Sequence, residues 1–406
     1  MKILYFHQHF NTPDGSVGVR SYQMAKALIA AGHEVTVVCG SYQGGATGLT
    51  GPFHRGRRTG VVEDIQIIEF ELSYSNALGF MARALIFFKF AFRSTMIALT
   101  ANYDLLFATS TPLTAGIPGI FARLFRRKPF IFEVRDLWPE LPKAMGVITN
   151  PIILLTMSIL EWLSYHNATR LVALAGGIEE GIVARGIARE KVVTIPNGCD
   201  LDIFRPNIQP WRPDGVRQTD LLAVFTGTHG KANGLDAVLD AANELKRRER
   251  DDIKIVFIGD GQQKAALVDR AKRECIDNVI FLAPVGKQKL AQLLSGADIG
   301  LQILANVPAF FYGTSPNKFF DYISAGLPVL NNYPGWVADL IQQNGCGYAV
   351  AADNPDAFAD ALTAAANNPE ARKQKGAAAR KLAKEQFNRQ QLANRFVRWV
   401  TEAKRT

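Results

Sequence analysis

The chain reads as an α/β protein made of two doubly wound lobes. Short apolar runs of strand length alternate with helical stretches from end to end, the pattern of a parallel sheet wound with helices. One aperiodic, proline-bearing stretch interrupts that alternation near the middle. The length, 406 residues with 48% apolar and 20% charged side chains, is enough for two hydrophobic cores.

Taken in order, the expected strands of the first lobe are residues 2–6, 34–39, 65–71, 105–108, 130–134, 170–174 and 192–195. Residues 196–220 then carry Pro196, Pro206, Pro210 and Pro213 without periodicity, as a linker would. The alternation restarts with strands at 221–226, 254–258, 279–282, 299–303, 328–330 and 347–350, followed by helices at 370–386 and 389–401. This predicts a first domain over 1–205 and a second over 206–387, with the terminal helix, 388–406, returning onto the first. Each lobe would bind ligand at the carboxyl ends of its strands, and a cleft would separate them.

Bulk properties narrow the class. The formal net charge of +9 favours anionic partners. Between Met81 and Lys128 there are seven Lys or Arg and one acid, Asp104. The four cysteines, Cys39, Cys199, Cys275 and Cys346, lie far apart, so neither a disulfide framework nor a zinc site is indicated. The opening Met1-Lys2-Ile3-Leu4-Tyr5-Phe6 suits a first strand rather than a signal peptide, and a cytoplasmic location is expected. Residues 77–101 are rich in Phe, Leu, Ile and Ala, but Arg83, Lys89 and Arg93 interrupt them. No uncharged run approaches the roughly 18–20 residues that span a bilayer. On a helix, Phe80, Ala84, Phe87, Phe88, Ala91 and Phe92 form a broad apolar stripe beside cations. Such a helix can lie on an anionic membrane or pack in a core with its cations snorkelling outward. Nucleic-acid binding is disfavoured, because the cations interleave with long apolar side chains instead of forming a polar stripe.

The residues from Ser315 to Val329 carry the most chemistry. Ser315 is expected to cap a helix with Pro316 in its first turn, placing Lys318 beside free N–H groups that suit a phosphate. One turn on, Asp321 offers a carboxylate for the two hydroxyls of a ribose, and the helix should stop at Ala325-Gly326. Each lobe also has a glycine-bearing loop after its first strand. The first runs from His7 through Gly15 and Gly18 to Arg20, which would face the cleft if a helix began near Ser16. It is no G-x-G-x-x-G fingerprint, which argues against a dehydrogenase. His7 and His9 form an isolated His-x-His pair, a weak metal signal. The second loop, Gly227-Thr228-His229-Gly230-Lys231-Ala232-Asn233-Gly234, reads as a phosphate loop, with Lys231 as its cation and His229 as a helper. Ile258-Gly259-Asp260-Gly261 is a further tight turn.

In this order the pieces resemble the family 4 retaining glycosyltransferases of the GT-B fold. The resemblance rests on Pro196-Asn197-Gly198-Cys199-Asp200 with Phe204 and Pro206, on Ile258-Gly259-Asp260-Gly261, on Asp321 to Val329, and on Gly32 to Val37. It covers essentially the whole chain. Glu133 to Glu140 and Pro316-Asn317-Lys318 look like the branch that builds bacterial surface polysaccharides, including N-acetylfucosaminyl transferases. That branch implies a UDP-sugar donor and a lipid-linked acceptor at the cytoplasmic membrane face. The family's paired glutamates are not both present: Asp321 stands at the second position and Gly313 at the first, leaving Tyr312, Ser315 or Asn317 to contact the sugar.

The resulting expectation is metal-independent transfer of an N-acetylated hexosamine or deoxyhexosamine, with retention, to a polyprenyl diphosphate-linked sugar. Lys231, Lys318 and the 227–230 loop would stabilise the leaving diphosphate, and Asp136 would orient acceptor or donor, with Glu140 as a weaker candidate. Gly15, Gly18, Arg20, Gly261 and Val285 complete the donor set with Gly227, Thr228, His229, Ser315, Asn317 and Asp321. Asp200-Leu201-Asp202 matches a D-x-D metal motif in letters, but the resemblance implies a structural role. The basic surface 77–128 would meet the anionic membrane. A nonhydrolysing UDP-sugar epimerase and a non-catalytic sugar-nucleotide-binding protein are the alternatives.

Overall fold

A computed structural model describes residues 1–15, 18–75 and 78–403. The expected helix start at Ser16, the first residue of the basic stretch, Ala77, and the last three residues of the terminal segment lie outside them. The chain divides into two units: Met1–Pro196 with Gly313–Ser315 and Gln390–Thr406, and Asn197–Tyr312 with Pro316–Arg389.

The first unit is built on an eight-stranded sheet. Its strands are β1 (Lys2–Phe6), β2 (Glu34–Tyr42), β3 (Arg57–Val62), β4 (Ile65–Tyr74), β5 (Leu105–Thr109), β6 (Phe130–Val134), β7 (Arg170–Ala173) and β8 (Val192–Thr194). They lie in the order β3-β4-β2-β1-β5-β6-β7-β8, all parallel except β3, which runs antiparallel to β4. The strand order reverses between β1 and β5, where doubly wound sheets open a crevice. β5 and β6 are buried along their whole length, as strands of a covered parallel sheet are, and apolar except for Thr109 and Glu133. The last helix, Arg389–Glu402, sets Leu392, Phe396 and Val400 into this core. Phe396 meets Phe107 edge-on at 5.1 Å, and the Trp399 indole N–H donates to the Leu171 carbonyl at 3.2 Å.

The second unit carries six parallel strands: β9 (Leu221–Thr226), β10 (Ile253–Ile258), β11 (Val279–Leu282), β12 (Ile299–Gln302), β13 (Val329–Asn331) and β14 (Gly347–Ala349). Their order is β11-β10-β9-β12-β13-β14, reversing between β9 and β12. The two units are each a Rossmann-like doubly wound domain.

Two sequence expectations need correction. β3 was not foreseen: Arg57-Arg58-Thr59-Gly60-Val61-Val62 is half exposed along its length and owes its strand to pairing with β4. The first domain also ends earlier than residue 205. Residues 197–205 cluster with the second unit, because Cys199 donates its N–H to the Phe387 carbonyl at 2.7 Å and accepts from Arg389 N at 3.3 Å. The Arg389 guanidinium then holds the Gly198 carbonyl at 2.6 Å and the Asp200 carboxylate.

Candidate active site

In the second unit the groups of interest gather where β9 ends. The loop after β9 and the turn after β10 continue the sheet ladder: Gly227 N donates to the Ile258 carbonyl at 3.0 Å and His229 N to the Asp260 carbonyl at 2.8 Å. A Cβ on Gly259 would fall 1.9 Å from the Gly227 carbonyl oxygen, and one on Gly261 would fall 2.5 Å from that of His229. Both residues also have φ near +150°. Two backbones therefore touch here, so Gly259 and Gly261 pack against the loop that follows β9. Gly227 and Thr228 remain exposed above this floor, and Lys231 is exposed on the 3-10 turn Lys231–Asn233.

The helix Asn317–Ala325 lies beside the loop. Its cap residue is Pro316, in extended conformation, rather than the expected Ser315. Ser315 instead clusters with the first unit. The helix ends at Gly326 with φ +74°, the left-handed stop that Ala325-Gly326 predicts. Tyr322 anchors it: its hydroxyl accepts from Thr226 N at 2.9 Å, and a Cβ on Gly300 would fall 2.4 Å from its ring. That anchor sets Lys318. Its Nζ donates to Asn233 Oδ1 at 2.8 Å and stands 4.6 Å over the Phe225 ring. Burial pushes the ammonium down to about 7. Gly227 lies against the Lys318 stem and takes a backbone conformation, φ +128°, that favours glycine. Asn317, next to it, is exposed.

Asp321, one turn on, has a partner that sequence reasoning missed. Lys287 Nζ lies 3.3 Å from Asp321 Oδ1 and 3.3 Å from Asp200 Oδ2. Burial pushes the Asp321 carboxyl above its ordinary range, against the pull of Lys287. Asp200 is pushed up by burial too, but Arg389 and Lys287 outweigh that and hold it low. Its carboxylate is thus engaged by two cations, Lys287 and Arg389. Val285 is half-buried in the loop that leads from β11 to Lys287.

His229 is not the helper its position suggested. Its ring is fully buried among Phe225, Phe257 and Phe281, at centroid distances of 6.0, 5.9 and 6.4 Å. Burial, aided by Lys264, keeps it neutral, down to about 4. Only its backbone serves the loop floor.

In the first unit the corresponding strand ends carry a second polar cluster. Asp136 follows β6, with the Thr111 hydroxyl 3.5 Å away, and burial raises its carboxyl against the pull of Arg135. Glu140 pairs with Arg185. His7 is buried and held neutral by burial and by Arg135. His9 packs on Tyr42 and Tyr74, and burial lowers it to about 4. Among the described residues no three His, Cys, Asp or Glu side chains gather as metal ligands.

Arg20 differs most from expectation. The helix Arg20–Ala30 begins with it, and the side chain points inward, 4% exposed. Nε donates to Glu133 at 2.9 Å, Nη1 to the Pro196 carbonyl at 2.7 Å and Nη2 to the Ile195 carbonyl at 2.8 Å. It is an internal strut of its unit, not a cation presented to a donor. Gly15 likewise packs on Asn11, where a Cβ would fall 1.8 Å from Oδ1, while Gly18 is exposed.

Comparison with known proteins adds the following. The family described as "Glycosyl transferases group 1" matches residues 208–382, and "Glycosyl transferase 4-like domain" matches residues 15–198. A D-inositol 3-phosphate glycosyltransferase of Kribbella flavida is 26% identical over 216 residues, 49% of this chain and 48% of that enzyme. A 5'-nucleotidase SurE of Synechocystis sp. is 52% identical over 50 residues, 12% of this chain and 18% of that protein. The chain therefore spans about half or less of the curated relatives it matches. Among solved structures, sucrose-phosphate synthase of Thermosynechococcus elongatus superposes with a TM-score of 0.76 at 16% identity, over 99% of this chain and 98% of that one. Anabaena Alr3699/HepE in complex with UDP does so at 0.67 and 15%, over 99% and 100%. WaaG, a glycosyltransferase involved in lipopolysaccharide biosynthesis, does so at 0.68 and 15%, over 98% and 99%. At such identities the likeness is one of fold.

Proposed function

We propose that this chain, a glycosyltransferase by its match to "Glycosyl transferases group 1" over residues 208–382 and to "Glycosyl transferase 4-like domain" over residues 15–198, moves a sugar, with retention, from a UDP-linked donor to a polyprenyl diphosphate-linked acceptor in surface-polysaccharide assembly. The sugar in this reading is an N-acetylated hexosamine or deoxyhexosamine. One observation carries the donor half: a desolvated lysine, Lys318, and a carboxylate, Asp321, stand one turn apart on a helix beside a glycine loop. A diphosphate brought to Lys318 returns the proton that burial tends to remove, and bond cleavage then adds negative charge where the cation already waits. Lys231 adds a second cation, Asp321 takes the ribose diol, and no metal is required. The UDP complex of the HepE neighbour supports the choice of base. In the first unit, Asp136 orients the acceptor, and the leaving phosphate takes the proton of the attacking hydroxyl.

Thermal shift tests the donor site. UDP is expected to raise the midpoint, by about 2.7 kcal/mol of stabilisation at a hundred times Kd, and Asp321→Ala and Lys231→Ala to lose that gain. Stabilisation by NAD instead, or by no nucleotide, would overturn the reading.

The acceptor is a greasy anion, and the first unit offers a surface that suits its membrane. No helix among the described residues is long and apolar enough to cross a bilayer. The helix Phe80–Thr100 buries one face, including Phe90, Ala91 and Ala98, and exposes Met81, Leu85, Phe88, Phe92 and Met96 along the other. Ala91 therefore belongs to the core rather than to the outer stripe, and Phe87 stacks on Tyr74. The helix Ile117–Arg126 packs beside it and exposes Leu124 and Phe125. The helix Pro151–Asn167 follows, with Ile152, Leu155, Ile159 and Trp162 outward. The only acid on these three helices, Glu161, is buried. Cations with apolar faces and no exposed acid suit anionic lipid. Of the cations, Arg126 and Lys128 already bond the carbonyls of Ala101 and Tyr103, which makes them structural. Replacing Lys89, Arg123 and Arg127 together with glutamine is expected to release the protein from anionic phospholipid vesicles in a sedimentation assay. Unchanged binding would refute the membrane reading.

A further inference from the structure

Lys287 is placed where helix electrostatics alone would not put a cation. It is the first residue of the helix Lys287–Gly296, whose preceding residue, Gly286, offers no side chain to cap it. The positive end of a helix disfavours an ammonium there. Two carboxylates compensate: Asp321 and Asp200, each 3.3 Å away, with the Phe204 ring 5.4 Å from Nζ. Asp200 is in turn gripped by the Arg389 guanidinium, whose Nη2 lies 3.1 Å from Oδ2. The result is an alternating chain of charges, Arg389, Asp200, Lys287 and Asp321, contained within the second unit. Its inner end is rigid, because Arg389 also bonds the Gly198 carbonyl at 2.6 Å and its N–H bonds the Cys199 carbonyl. Its outer end is the carboxylate assigned to the ribose.

We propose that Lys287 is a positioning residue: it holds the Asp321 carboxylate ionised and aimed for a ribose diol by tying it to the fixed Asp200–Arg389 pair. The proposal rests on the donor reading of Asp321. A buried carboxylate beside a second carboxylate would otherwise repel it and swing away or take up a proton, and either change removes a bidentate acceptor for two hydroxyls. Lys287 acts through Asp321 and has no independent contact with the nucleotide in this arrangement.

The experiment is calorimetric binding of UDP and of its 2′,3′-dideoxy analogue to the full chain. The ratio of the two affinities reads the diol contact alone. Lys287→Met is expected to weaken UDP about 10-fold or more, the scale of one charge-assisted hydrogen bond, and to bring the ratio close to one. Lys287→Arg should restore most of it. In an Asp321→Asn background, Lys287→Met should cost nothing further. If Asp321→Asn itself leaves the ratio unchanged, the donor reading falls. If Asp321→Asn removes the ratio but Lys287→Met preserves it, the positioning role falls. An equal loss from Lys287→Met in both backgrounds means a direct nucleotide contact and also overturns the proposal. Should the methionine variant not fold, Lys287→Gln serves the same comparison.

Discussion

Replacing Lys318 with methionine is expected to slow sugar transfer by about 10²–10³-fold, the range seen when one prepositioned group that stabilises developing negative charge is removed. Methionine keeps the stem over Phe225 and deletes only the charge, so the fold should survive. The ammonium is desolvated, and the Asn233 Oδ1 it donates to at 2.8 Å is neutral. A cation held this way is poorly satisfied until an anion arrives, and its interaction with that anion is little screened. A second, independent readout follows. With the folded-state value near 7, Lys318 is mostly neutral at pH 8. Binding of UDP should return the proton, so titrations in buffers of different ionisation enthalpy should report uptake of close to one proton at that pH. The uptake should vanish in Lys318→Met. The sign for stability runs the same way. An unfolded lysine titrates at about 10.4, so between about 7 and that value the unfolded chain binds more protons than the folded one. The penalty of burying the cation is full below about 7 and fades as the pH rises through this window. Unliganded protein should therefore gain stability from Lys318 across that range, and the variant should not. Transfer at the unmodified rate, or proton uptake that persists in the variant, would remove Lys318 from the mechanism.

Arg20→Met should destabilise the first unit by about 3–5 kcal/mol, the cost of removing one partner from a buried ion pair. The Arg20–Glu133 pair is almost wholly buried, at 4% and 0% side-chain exposure. Removing the guanidinium also strips donors from the carbonyls of Ile195 and Pro196. Glu133 would retain Arg135 at 3.3 Å and the Thr109 hydroxyl at 2.8 Å, which limits the loss. Burial pushes the Glu133 carboxyl up, but Arg20 and Arg135 outweigh it and hold it below the usual range. Its contribution is present above the ordinary carboxylate range and is lost as the pH falls through the folded-state value. The variant should therefore also unfold at a higher pH during acid titration. Denaturation followed by circular dichroism measures both effects. Unchanged stability with weakened UDP binding would instead return Arg20 to the donor site.

The contrast between these two residues shows what could be read from the chain before its structure. Lys318 was legible because its neighbours in sequence, Pro316, Asp321 and Gly326, define a short helix with a cation at its start and a stop at its end. Arg20 was misread because its partners lie 113, 175 and 176 residues away. Nothing local distinguishes an arginine that will turn inward from one that will face solvent. Lys287 was overlooked for the same reason. Its carboxylates come from positions 200 and 321, and a single lysine opening a helix has no pattern of its own. His229 carried a misleading signal, since a histidine in a glycine loop looks like a ligand contact until Phe257 and Phe281 enclose it.

By itself the sequence determined the two doubly wound lobes, most strand positions, the glycine turns and the left-handed stop at Gly326. These depend on hydrophobic period and backbone sterics, which act over a few residues. Only the tertiary structure decided which cation meets which carboxylate, which glycines serve backbone contact and which histidines lose their protons. Those outcomes depend on desolvation and on charges brought together from distant parts of the chain, and neither is a property of local sequence.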